Sequence, residues 1–174
     1  MSKLPLILLS LCLLAFPCTG RSLSSRVVRI GTEAGSMRMR VLQPKDSAGP
    51  VPGILWIHGG GYMIGGGLTA AICLYARDKG DIPIALQLPL YPMLDCEDTQ
   101  SSSDNHGHVW NTKRNHWGWK HYLGNLYGSK DISKYASPAR ETDYSGLPPC
   151  YTFVADGEPF YSETLAFVKR TNGT

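Results

Sequence analysis

Two short β-like runs, residues 27–30 and 37–42, flank Gly31-Thr32-Glu33-Ala34-Gly35, a pattern that predicts a hairpin at a sheet edge. Residues 43–52 carry prolines, a glycine and charged side chains, which is loop chemistry. Ile54-Leu55-Trp56-Ile57 is then apolar without alternation, as in a central parallel strand buried on both faces. Leu68, Ala71, Ile72, Tyr75 and Ala76 repeat at helical spacing, so a helix is predicted over 68–79, with Gly80 placed to end it. Strand character returns over 82–88, where Pro83 sits at a tolerated strand start, and again over 150–154. A second helix is predicted from about 159 to 169. Strands alternating with helices indicate an α/β chain with a mainly parallel sheet. Residues 54–57, 82–88 and 151–154 are expected as parallel neighbours, with the 68–79 helix on one face.

Residues 104–127 depart from this alternation. They hold Trp110, Trp117, Trp119, Tyr122 and Tyr127, with His106, His108, His116 and His121. An aromatic insertion of this kind forms either a cap over a pocket or a small satellite core, and the pattern leaves both open. His106-x-His108 offers two ligands without a third at a metal-site spacing, so no metal is expected. Lys113, Arg114 and Lys120 lie among the tryptophans. The net charge of the 174-residue chain is only +3, however, and no nucleic-acid partner is expected.

That length fits one domain, and 43% hydrophobic with 18% charged residues describes a globular protein. The N-terminus stands apart. Lys3 precedes an apolar run over 4–16, and Cys18-Thr19-Gly20 places small residues before a cut ahead of Arg21. Residues 1–20 therefore read as a signal peptide and 21–174 as the mature domain, secreted or extracytoplasmic and without stable membrane insertion. An uncleaved anchor is the alternative. Of the mature cysteines, Cys73 and Cys150 sit in apolar stretches that favour packing, Cys96 does not, and their pairing stays open. Asn172-Gly173-Thr174 matches the glycosylation pattern.

His58-Gly59-Gly60-Gly61 follows the apolar run at 54–57 directly. Acyl transfer needs N–H donors aimed at a developing oxyanion, and glycines let the backbone come close. H-G-G-G after a strand is the oxyanion motif of lipases and esterases. With "PVPGILWIHGGGYMIG", "GGLTAAICLYARDKGDIPIALQLPLYPMLD" and "YASPARETDYSGLPPCYTFVADGEPFYSETLAFV", the chain resembles the hormone-sensitive-lipase-like esterase branch of the α/β-hydrolase family. The resemblance implies an α/β-hydrolase fold, hydrolysis of a small acyl ester, and no metal or organic cofactor. It also implies an oxyanion hole at Gly59, Gly60 and Gly61, His58 as a loop-positioning residue, and Glu158 as the acid of the triad. Asp156 is a rival lying two residues before the match, and Glu158 ahead of Pro159 is equally sound helix-start chemistry.

Two parts of the pattern are missing. The family carries its serine on a G-x-S-x-G elbow before the helix that 68–79 resembles. No G-x-S-x-G occurs in this sequence: Gly65-Gly66-Gly67 joins the oxyanion loop to that helix without the intervening βαβ unit. The family's base follows its acid, but every histidine here precedes Glu158. The expected fold is thus an incomplete α/β-hydrolase, without nucleophile or base and therefore expected to be inactive. A non-catalytic secreted binding protein and a mis-joined gene product are the alternatives.

Overall fold

The computed structural model describes residues 22–32, 35–46, 49, 52–59 and 65–173. The proposed signal peptide, residues 1–20, lies outside the described residues. Two compact units divide the chain, Met1–Ile54 and Leu55–Thr174.

In the first unit, β1 (Leu23–Thr32) and β2 (Gly35–Pro44) form an antiparallel hairpin in register from Leu23↔Pro44 to Thr32↔Gly35. Both strands are longer than the predicted runs. Backbone pairing carries the ladder through the polar residues at its open end, where Ser24 Oγ donates to Gln43 O at 3.2 Å and Lys45 N–H to Ser22 O at 3.0 Å.

The second unit is built on three helices: α1 (Gly66–Lys79), α2 (Thr112–Leu123) and α3 (Tyr161–Asn172). Helix α1 stops where expected, at Gly80 in the left-handed conformation, whose N–H returns to Ala76 O. Its buried face differs from the predicted one. Ala70, Ala71, Cys73 and Leu74 are buried, whereas Leu68 and Tyr75 of the predicted stripe are exposed. The helix is apolar on both sides, and the side with small residues is the one that packs closely. Ala70, Cys73 and Leu74 meet Leu94, Tyr144, Leu147, Cys150 and Phe167 in the main core. Cys73 and Cys150 are free thiols, and burial pushes them up to about 11 and about 12, as inert core residues.

The predicted strands 82–88 and 151–154 do meet in parallel, through a single bridge at Gln87 and Cys150. Gln87 N–H donates to Pro149 O at 3.0 Å, and Tyr151 N–H to Gln87 O at 3.1 Å. The next ladder donor on this strand would be the nitrogen of Pro89, which carries no hydrogen. Pro89 O is taken by the hydroxyl of Thr152 instead. Proline chemistry thus leaves one regular bridge, with only a longer bond beyond it, from Tyr91 N–H to Phe153 O at 3.4 Å.

The third predicted strand is a correction. Residues 54–57 form no strand, with Ile54 at the end of the first unit and Leu55 and Trp56 exposed in the second. A buried parallel strand needs backbone partners on its flanks. The central strands that the family would supply there are not in the sequence. Their absence also leaves Leu86, Leu88, Tyr151 and Phe153 exposed on one face of the bridge, while Gln87, Pro89 and Cys150 are buried on the other.

Residues 104–127 resolve to the satellite core. Asn111 caps α2, its side chain accepting the Arg114 N–H at 3.1 Å. Trp119, Leu123 and Ile132 then cluster with Met93, Cys96, Tyr127 and Ala136.

Candidate active site

Gly59 lies against the start of α1. A Cβ added to Gly65 would stand 3.5 Å from Gly59 Cα and 3.7 Å from His58 O. Gly65 itself has φ 116°, a conformation that favours glycine. His58 is exposed, and its Nδ1 lies 2.8 Å from Gly59 O. Gly60 and Gly61 lie outside the described residues. What the structure describes of the H-G-G-G loop is thus its first two residues, set beside the helix that follows the missing elbow.

The opposite flank of that helix start is packed backbone to backbone. A Cβ on Gly66 would fall 2.5 Å from Leu90 O and 2.7 Å from Pro92 Cα. Between these two contacts sits Tyr91, with φ 46°, the one non-glycine residue at positive φ among the described residues. Its ring meets Phe153 edge-on at 5.2 Å and Phe160 at 6.4 Å. Phe160 stands two residues after Glu158, so Tyr91 links the start of α1 to the Glu158 loop.

Glu158 is half-buried in that loop, and burial raises its carboxyl above the ordinary glutamate value. Its N–H donates to Ala155 O at 3.1 Å, and its carbonyl accepts Tyr161 N–H at 3.2 Å, so its backbone opens the turn into α3. Two side chains from residues 101–105 hold the loop. Ser101 Oγ donates to Pro159 O at 2.6 Å and accepts Ser162 N–H at 2.9 Å, capping α3 from a distant part of the chain. Asn105 Nδ2 donates to Gly157 O at 3.0 Å. Asp156 is exposed.

Sequence reasoning missed Tyr91, Ser101 and Glu163. The carboxyl of Glu163 is buried in the first turn of α3, its Oε1 accepting Leu94 N–H at 2.7 Å and Asp95 N–H at 3.3 Å. Burial pushes it up to about 8. A glutamate in a first helical turn reads as ordinary dipole chemistry, and nothing in its spacing announces a tertiary contact. Among the described residues no group of three or more histidine, cysteine or acidic side chains is placed to hold a metal. His106 pairs instead with Asp104 at 3.0 Å.

The chain as a whole is similar to known proteins. The family model of the α/β-hydrolase fold matches residues 60–174. A bacterial heroin esterase superposes with a TM-score of 0.75 at 25% identity, over 96% of this chain and 76% of that one. Esterase LipW from Mycobacterium marinum matches at 27% identity and a TM-score of 0.55, over 62% of this chain and 33% of its own. A thermostable esterase from Pseudomonas putida shares the fold at 19% identity, with a TM-score of 0.69 over 89% of this chain and 70% of that one. Among curated proteins, no sequence matches. With two thirds of its length under the family model and esterases as its structural neighbours, the chain belongs to the α/β-hydrolase fold family, in its hormone-sensitive-lipase-like esterase branch.

Proposed function

We propose that this chain is a carboxylesterase-type hydrolase in descent that does not by itself turn over an ester. The observation carrying this reading is internal to the chain: the oxyanion-type loop at His58 and Gly59 passes within five residues to Gly65 and α1, with no G-x-S-x-G between. Attack on an acyl carbon needs a nucleophile and a base to take its proton. Glu158, as the acid position, orients a base and replaces neither. A small acyl ester is the ligand this site would take, with Gly59, Gly60 and Gly61 facing the carbonyl oxygen. The purified chain is expected to resist labelling by a serine-directed phosphonate and to hydrolyse a short aryl ester no faster than buffer with albumin. Stoichiometric labelling with matching turnover would overturn the reading, and Ser162, in the first turn of α3, is the serine to map first.

Export belongs to the same reading, since the apolar run at 4–16 and the small residues before Arg21 form a signal-peptide pattern. N-terminal sequencing of material recovered from the medium is expected to begin at or near Arg21. An intact Met1 chain held in the cytosol would reject it.

A further inference from the structure

Helix α2 buries one face in the satellite core through Asn115, Gly118, Trp119 and Leu123. Its opposite face contributes to neither core. At 100° per residue, Lys113, Arg114, Trp117, Lys120 and His121 fall within one outward stripe, and all five are exposed. Trp117 is 53% exposed and turns an amphipathic indole outward on this stripe. The helix contains no acidic residue. The carboxylates near it are engaged off the stripe, Asp98 with His116 at 2.8 Å and Asp104 with His106 at 3.0 Å. Arg114 also donates to His108 O at 3.2 Å and to Val109 O, which draws the exposed Val109 beside the stripe.

We propose that this face of α2 docks on an anionic lipid surface, Lys113, Arg114 and Lys120 meeting headgroup charge while Trp117 and Val109 sit at headgroup depth. An amphipathic indole flanked by lysine and arginine is the composition that interfacial contact favours. Each basic residue near an anionic surface adds attraction that salt screens. A single nucleic-acid strand is the rival occupant and fits less well. Stacking needs free aromatic faces in series, whereas Trp117 is the stripe's one indole and already packs against the His121 ring, tilted at 36° with centroids 4.0 Å apart. The contact is peripheral, as no helix among the described residues is long and apolar enough to cross a membrane.

The test is quenching of tryptophan fluorescence by brominated vesicles, using the full chain. The apolar run at 4–16 holds no tryptophan and is silent in this readout. Vesicles of phosphatidylcholine with about one quarter phosphatidylserine are expected to quench the emission, and neutral phosphatidylcholine vesicles are not. Added salt should reverse the quenching. K113E/K120E should weaken partition at least about tenfold, and W117F should remove most of the quenching while leaving salt-sensitive binding by sedimentation. Circular dichroism of both variants establishes that α2 is intact. Equal quenching by both vesicle types, or undiminished partition of a folded K113E/K120E chain, would overturn the proposal. So would oligothymidylate binding that K113E/K120E abolishes, without any vesicle binding.

Discussion

Glu163 Oε1 accepts the backbone N–H of Leu94 at 2.7 Å, joining the first turn of α3 to the segment that follows the parallel bridge. Its other oxygen, Oε2, is buried without a hydrogen-bond partner. Ionising this carboxyl therefore costs more in the folded chain than in the unfolded one, and burial raises it from 4.5 to about 8. The unfolded chain releases the proton first, so the stability linked to Glu163 is full below about 4.5 and is lost as pH rises through about 8. Glu163→Gln keeps an acceptor for Leu94 and Asp95 but cannot ionise. Urea denaturation is expected to show the variant gaining on the parent steadily between those two pH values. Glu163→Ala loses the acceptor and should cost about 1–3 kcal/mol near the acid end of that range, a deficit that shrinks as pH rises because alanine does not ionise either. A parallel pH dependence of parent and Glu163→Gln would refute the assignment.

Glu141 behaves in the opposite sense. Burial alone would raise its carboxyl, but hydrogen bonds from Lys134, Asp143 N–H, Arg77 and Thr142 N–H outweigh it and hold the group at about 2. Arg77 Nη2 lies 2.6 Å and Lys134 Nζ 2.7 Å from Glu141 Oε2, tying α1 to residues 134–143. A lowered value means stability that is present above 4.5 and lost as pH falls through about 2. Glu141→Gln should cost about 2–3 kcal/mol at neutral pH, because Arg77 and Lys134 then share only Asp78, at 2.8 and 2.7 Å. The deficit should shrink in acid, as the parent protonates. A constant deficit down to the lowest pH at which the chain stays folded would count against the ion-pair account.

How much of this was legible in the sequence depends on whether the signal was local. The hairpin, the end of α1 at Gly80 and the helix at 161–172 rest on nearby residues, and the sequence places them within a few positions. Helical spacing also identified α1 but put Leu68 and Tyr75 inward, because an apolar count cannot tell which of two apolar faces has a neighbour. Residues 54–57 read as a buried strand for the same reason. Their composition fits a central position, and the partners that would make it one are absent from the chain. The expectation of a triad acid at Glu158 rests on the family pattern alone. The supports from Ser101, Asn105 and Tyr91 are tertiary contacts across 52–69 residues, beyond the reach of periodicity.

The start of α1 gives the sharpest steric test of the site. A Cβ on Gly66 would meet Leu90 O at 2.5 Å and Pro92 Cα at 2.7 Å, and one on Gly67 would meet Met93 O. These neighbours are backbone atoms flanking the strained Tyr91, so they cannot turn aside as a side-chain tip would. Alanine at either position must push α1 away from residues 90–93, and that motion passes through Tyr91 to Phe160 and the Glu158 loop. Gly66→Ala and Gly67→Ala should each cost about 2–3 kcal/mol by chemical denaturation. Gly80→Ala is the reference, since its added Cβ meets nothing within 4 Å and only the φ of 69° opposes it. That change should cost about 1 kcal/mol. If Gly66→Ala costs no more than Gly80→Ala, the helix start is not docked on residues 90–93, and the link from the His58–Gly59 loop to the Glu158 loop fails with it.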